Sequence, residues 1–111
     1  MLSPLTFFKC LAEDTRLKSL LLISLKQELC VCQLQAALEL SQPKVSRHLA
    51  SLRQCDLLID ERRGKWVYYR LHPALPDWAC DVLFNISNQH GDYLADCIKR
   101  LAATCQSTCE S

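Results

Sequence analysis

Two cysteines one residue apart, Cys30 and Cys32, interrupt the segment KQELCVCQLQAALELSQPKVSRHLASLR at residues 26–53. Thiolate sulfur is a soft donor and a nucleophile, so such a pair suits capture of a soft metal or metalloid, or reversible oxidation. The pair precedes and enters a helical pattern. A helix start favours thiolate through its dipole and free N–H groups, although Glu28 nearby opposes this. In a regular helix, residues i and i+2 point about 200° apart. Cys30 and Cys32 are therefore expected to grip one atom only if the start of that helix is distorted. The bland alternative is that both cysteines fill a core, because cysteine packs as a small hydrophobe.

Six further cysteines (Cys10, Cys55, Cys80, Cys97, Cys105 and Cys109) make eight in 111 residues. The N-terminus MLSPLTFFKCLAEDTR lacks the basic start and small-residue cleavage site of an export signal, and no stretch of 18 apolar residues exists. A cytoplasmic location without membrane contact is expected, and there metal or redox chemistry is a better reading of many cysteines than a disulfide framework. Cys55, Cys80 and Cys97 fall within or beside expected elements and are read as structural.

The elements that must position the thiols can be read from periodicity. Ser3 and Pro4 open a short helix with Leu5, Phe8, Leu11 and Ala12 on one stripe. Asp14 caps a second helix, TRLKSLLLISL, apolar almost all round and hence the buried hub. VCQLQAALE is a short third helix. After a tight connection, Ser41 and Pro43 start a fourth, with Val45, Leu49 and Leu52 facing inward. LLIDER and KWVYYRL then read as a β-hairpin with Gly64 in its turn. A final helix from near Asp77 carries Trp78, Val82, Phe84, Ile86, Tyr93, Leu94 and Ile98, more apolar positions than one contact face needs, and is read as a dimerisation helix. The expectation is a mainly α chain with a small β-hairpin: a winged helix-turn-helix over residues 1–104, dimerising through its first and last helices, with a polar Cys-containing tail at 105–111.

Net charge is only +1, but it is segregated. Residues 42–70 hold seven basic and three acidic side chains, and the rest of the chain six basic and nine acidic. A basic middle fits a phosphate-contacting surface. A helix fits the major groove of DNA, and polar side chains near its N-terminus reach base edges. Ser41, Gln42, Lys44, Ser46, Arg47 and Ser51 are the candidates on the fourth helix, with Gln42 suited to adenine and Arg47 to guanine. Ser41 and Lys44 suit phosphate, and the hairpin tip residues Arg62, Arg63 and Lys65 are expected to straddle the backbone or enter the minor groove. His48 is either a phosphate contact or a packing residue beside Leu49. Trp66, Tyr68 and Tyr69 are read as packing within the hairpin rather than as a base-stacking platform.

ELCVC, SQPKVSRHLASLR and GKWVYYRL closely resemble the arsenical-resistance repressors of the ArsR/SmtB family, and the similarity runs from LAEDTR through Trp78. The resemblance implies a homodimer on double-stranded operator DNA that leaves when a metal or metalloid binds. Trivalent arsenic or antimony fits, since each forms three pyramidal bonds to sulfur and two cysteines stand here without a neighbouring histidine. Some relatives carry a third cysteine where this chain has Gln35; either a third donor comes from elsewhere, with Cys105 and Cys109 preferred and Cys10 as a further option, or the site suits two-thiol species such as monomethyl- or phenyl-arsenicals. The same spacing serves cadmium and lead sensors of the family. Its zinc sites need Asp and His pairs on the last helix, whereas Asp81 is followed here by Val82 and Leu83, and His90 and Asp92 stand apart. A redox-sensing DNA binder remains the other alternative. A thiol oxidoreductase is disfavoured because Cys-x-x-Cys and a βαβ pattern are both missing, so no enzymatic activity is expected.

Overall fold

The computed structural model describes residues 2–104. The elements run α1 (Pro4–Leu11), α2 (Asp14–Lys26), β1 (Leu29–Cys30), α3 (Val31–Leu38), α4 (Gln42–Gln54), β2 (Leu58–Arg63), β3 (Trp66–Leu71), α5 (Asp77–Gln89) and α6 (Gly91–Thr104). The chain is thus mainly helical with a small antiparallel sheet, the winged helix-turn-helix expected. The 105–111 tail lies outside the described residues. No described helix is long and apolar enough to cross a membrane.

α2 is the hub: Leu20, Leu21, Leu22 and Ile23 are fully buried. Its start is capped by Glu13, whose carboxylate accepts from the Arg16 N–H at 2.8 Å, and not by Asp14, which already lies inside the helix. Asp14 instead accepts from the Tyr93 hydroxyl at 2.5 Å and so ties α6 to the start of α2. That hydrogen bond, with Lys18 beside it, holds the Asp14 carboxyl below its ordinary value.

α1 turns a different stripe inward from the one expected. Phe7, Cys10 and Leu11 are buried, while Leu5 and Phe8 are 66% and 52% exposed. Phe7 fills the space under Trp78, edge to face at 5.1 Å, and that contact sets the rotation of the helix. Ser3 Oγ accepts from the Thr6 N–H at 3.1 Å. Ser3→Ala should therefore cost about 1 kcal/mol or somewhat less at this exposed helix end, readable as a small drop in the urea midpoint at unchanged slope.

The C-terminal region is two helices rather than one. α5 ends at His90, whose N–H bonds back to Ile86, and α6 restarts at Gly91. Ala79 and Leu83 of α5 and Leu94, Cys97 and Leu101 of α6 pack on the common core, while Phe84 is 66% exposed. Splitting the segment lets two short helices wrap the body. α6 also lies against α3: Arg100 Nε donates to the carbonyl of Ala37 at 2.9 Å.

The sheet has three strands in the order β1-β3-β2, all antiparallel, one more than the hairpin alone. Leu29 and Cys30 pair with Tyr69 and Tyr68. In the hairpin Arg63 pairs with Trp66, leaving Gly64 and Lys65 as the turn, with Gly64 at φ +63°.

Candidate thiol site and nucleic-acid interface

α3 and α4 form the helix-turn-helix. α3 closes at Glu39 in the left-handed conformation, and the chain restarts at Ser41 with Pro43 in the first turn of α4. Val45, Leu49 and Leu52 are completely buried and lock the rotation of α4. That rotation leaves Ser41, Gln42, Lys44 and Arg47 exposed, with Ser46 and Ser51 half-buried. Gln42 Nε2 donates to Ser46 Oγ at 3.0 Å, and Ser51 Oγ donates to the carbonyl of Arg47 at 3.3 Å. Lys44 and Arg47 pair with no carboxylate among the described residues. His48 turns the other way: its Nδ1 lies 3.7 Å from the Glu13 carboxylate and its side chain is 16% exposed.

The wing carries its basic tip in two states. Arg62 and Lys65 are exposed, and Arg62 pairs with no carboxylate among the described residues. Arg63 is folded back. It donates to both carboxylate oxygens of Glu28, at 2.8 and 2.7 Å, and to Glu61 at 3.0 Å, and it lies over the Tyr68 ring. These bonds raise the Arg63 pKa and hold Glu28 and Glu61 below the ordinary carboxylate range. A carboxyl lowered on folding contributes stability above its unfolded value, and that contribution fades as pH falls through the folded value. The clasp should accordingly loosen below about pH 4. Glu28→Gln should flatten part of the acid limb of stability in urea melts from pH 7 to 3. Freeing Arg63 should also steepen the salt dependence of DNA binding, by up to about one unit of log–log slope per wing.

Cys30 is not the first residue of a helix turn. It is the N-cap of α3, with φ −92° and ψ 166°, and Gln33 Oε1 accepts its N–H at 3.0 Å. The expected conflict between helix geometry and a shared ligand does not arise here. An extended Cys30 preceding a helical Cys32 brings the two sulfurs to 2.9 Å with α3 regular. Cys30 is buried and Cys32 half-buried. Their pocket is walled by Gln35 of α3, Gln42 at the start of α4, and Lys65 and Trp66 of the wing. The buried Trp66 Nε1 has no acceptor among the described residues. The thiols thus sit where α3, the exposed start of α4 and the wing converge. The donor set is two soft sulfurs, which fits a thiophilic ion better than a hard one. Gln35 occupies the wall where a third cysteine would stand in some relatives. Among the described residues no group of three or more His, Cys, Asp or Glu converges on a point. Cys105 and Cys109 lie outside them.

The other cysteines divide differently from expectation. Cys97 is buried, as expected of a packing residue, but Cys80 is exposed. Cys55 is bonded to Cys10. The spacing of two residues 45 apart carried no signal of that pairing.

A buried-stripe helix after a tight turn, followed by a basic hairpin, defines a winged-helix DNA-binding regulator. Residues 13–60 match the model of the bacterial regulatory protein, arsR family. An arsenic resistance transcriptional regulator of Pseudomonas putida is 52% identical over 92% of this chain and 80% of its own. The arsenical resistance operon repressor of Escherichia coli is 55% identical over 74% of this chain and 70% of its own. Among solved structures, the AntR antimony-specific transcriptional repressor superposes with a TM-score of 0.66, at 28% identity, over 79% of this chain and 77% of that one. The chain belongs to the ArsR family of transcriptional regulators.

Proposed function

We propose that the chain is a homodimeric repressor that grips operator DNA with α4 and the wing and lets go when trivalent arsenic or antimony bonds to Cys30 and Cys32. One observation carries this reading: the sulfurs lie 2.9 Å apart in a pocket walled by the start of α4 and by the wing. The similarity to an arsenic resistance regulator and to an antimony-specific repressor supports the inducer class.

The chemistry follows from the neighbours. In the reduced state Cys30 and Cys32 each give up a proton and bond through sulfur to a common soft atom. A third sulfur, from Cys105 or Cys109, completes a pyramidal shell. The two thiols must spread to admit that atom, and Cys30 carries β1 with it. β1 is paired to Tyr68 and Tyr69 of β3, and Glu28 just before it holds Arg63. Gln42 lines the same pocket at the first turn of α4. Spreading the thiols therefore displaces both DNA-facing elements at once. A coupling of about 1–3 kcal/mol is enough to weaken DNA binding about 5- to 150-fold. Dimerisation covers the apolar side chains left outside the core, Leu5 and Phe8 on α1 and Phe84 on α5.

The test needs an operator duplex selected by the protein itself from a random pool. In fluorescence anisotropy, arsenite or antimonite should release the duplex and zinc should not. Failure to select any duplex, or release by zinc with no response to arsenite, would refute the reading.

A further inference from the structure

Cys10 and Cys55 form a second thiol pair, built from different elements and separate from the Cys30–Cys32 pocket. Cys10 is the buried penultimate residue of α1, 8% exposed; Cys55 is the C-cap of α4 and half-buried. Their sulfurs are bonded across 45 residues of sequence, with Cα atoms 7.2 Å apart. An open groove flanks the pair, and Lys9 and Arg16 line it. Arg16 Nε also donates to the Cys10 carbonyl at 2.6 Å, which ties the end of α1 to the first turn of α2. The bond therefore joins the helix with the exposed Leu5 and Phe8 to the last turn of the helix that reads DNA.

We infer that Cys10 and Cys55 are an oxidation site: peroxide converts the two thiols into a cross-link that clamps α4 to α1. The step balances. Cys55, the more exposed of the two, attacks a peroxide oxygen as thiolate and becomes a sulfenic acid as water leaves. The Cys10 sulfur then displaces the hydroxyl, released as a second water. Two thiols and one hydrogen peroxide become one disulfide and two waters. A dithiol reductant reverses the step by exchange through a mixed disulfide. The clamp holds the far end of α4 while the proposed inducer acts on its start, so the oxidised repressor resists release; this consequence rests on the function proposed above.

The experiment takes the full chain, fully reduced or treated with hydrogen peroxide, alkylates free thiols and maps the peptides. A peptide joining Cys10 to Cys55 is expected in the oxidised sample. Closing a loop of this length should raise the melting temperature by roughly 10 °C, reversibly with dithiothreitol. Cys10→Ser and Cys55→Ser should each abolish that shift. Cys10 and Cys55 still alkylated after peroxide has consumed the other thiols, or a shift that survives in both variants, overturns the assignment. In the anisotropy assay the cross-linked protein should keep several-fold more duplex at saturating arsenite than Cys10→Ser protein given the same peroxide treatment, so that oxidation at Cys30 and Cys32 is common to both. Equal release from both overturns the clamp. If arsenite releases not even the reduced protein, the metalloid reading fails, while the mapped peptide and the melting shift still decide the oxidation site.

Discussion

Replacing Cys30 and Cys32 together with serine is expected to leave operator binding intact and to abolish its response to arsenite. Neither thiol stands among the exposed side chains of α4 or the wing tip: Cys30 is buried and Cys32 half-buried in a pocket that Gln42 and Trp66 also line. Serine is nearly isosteric and can still accept at the N-cap, so α3 should keep its start. What disappears is the soft donor. A hydroxyl is a hard ligand that stays protonated at neutral pH and does not compete for a thiophilic ion. The coupling of about 1–3 kcal/mol should therefore vanish, and a 5- to 150-fold inducer effect with it. Anisotropy titrations of both proteins on one duplex read this directly. Trp66 lines the same pocket, so its fluorescence should change with arsenite in the wild type and stay flat in the double variant. Loss of operator binding in the double variant would instead mark the thiols as structural.

The second large effect belongs to Arg47. It is exposed on α4, opposite the buried Val45, Leu49 and Leu52, and pairs with no carboxylate among the described residues. A guanidinium so placed can bond two acceptors of guanine in the major groove. Arg47→Ala should cost about 1–3 kcal/mol per half-site and relax the preference at one base position. In a dimer the loss is counted twice. Lys44→Ala should behave differently, weakening all sequences alike and lowering the salt slope by about one per subunit. Selection and salt titration with the two variants separate base reading from phosphate contact. Equal, sequence-independent losses in both would remove Arg47 from the reading role.

Much of this arrangement is legible from local pattern, because its causes are local. Val45, Leu49 and Leu52 recur at helical spacing, and burying them leaves Lys44 and Arg47 outside. The hairpin announces itself through Gly64 between two strand-like runs. The features that escape depend on partners distant in sequence. β1 is two residues long and exists because Tyr68 and Tyr69, nearly forty positions on, offer an edge to pair with. That pairing extends Cys30 and makes it a cap, so the thiol geometry could not be derived from helix periodicity. α1 faces inward through Phe7 because Trp78 awaits it, a choice invisible to a stripe drawn along α1 alone. The fold-back of Arg63 onto Glu28 and the bond between Cys10 and Cys55 are likewise tertiary events.

The resulting picture differs from simple helix unwinding. α3 need not melt for its two thiols to share an atom, since the N-cap position already places them together. In the function proposed above, movement passes through β1 and the pocket walls instead. Glu28→Gln offers a view of this route, because it weakens the Arg63 clasp between the wing and the residue before β1 while leaving both thiols and the β1–β3 pairing in place.

The decisive measurement is X-ray absorption at the arsenic edge on the arsenite complex. The wild type should show arsenic surrounded by sulfur, and the Cys30→Ser/Cys32→Ser variant should show the oxygen shell of free arsenite. A sulfur shell that persists unchanged in that variant would place the inducer elsewhere and contradict the account.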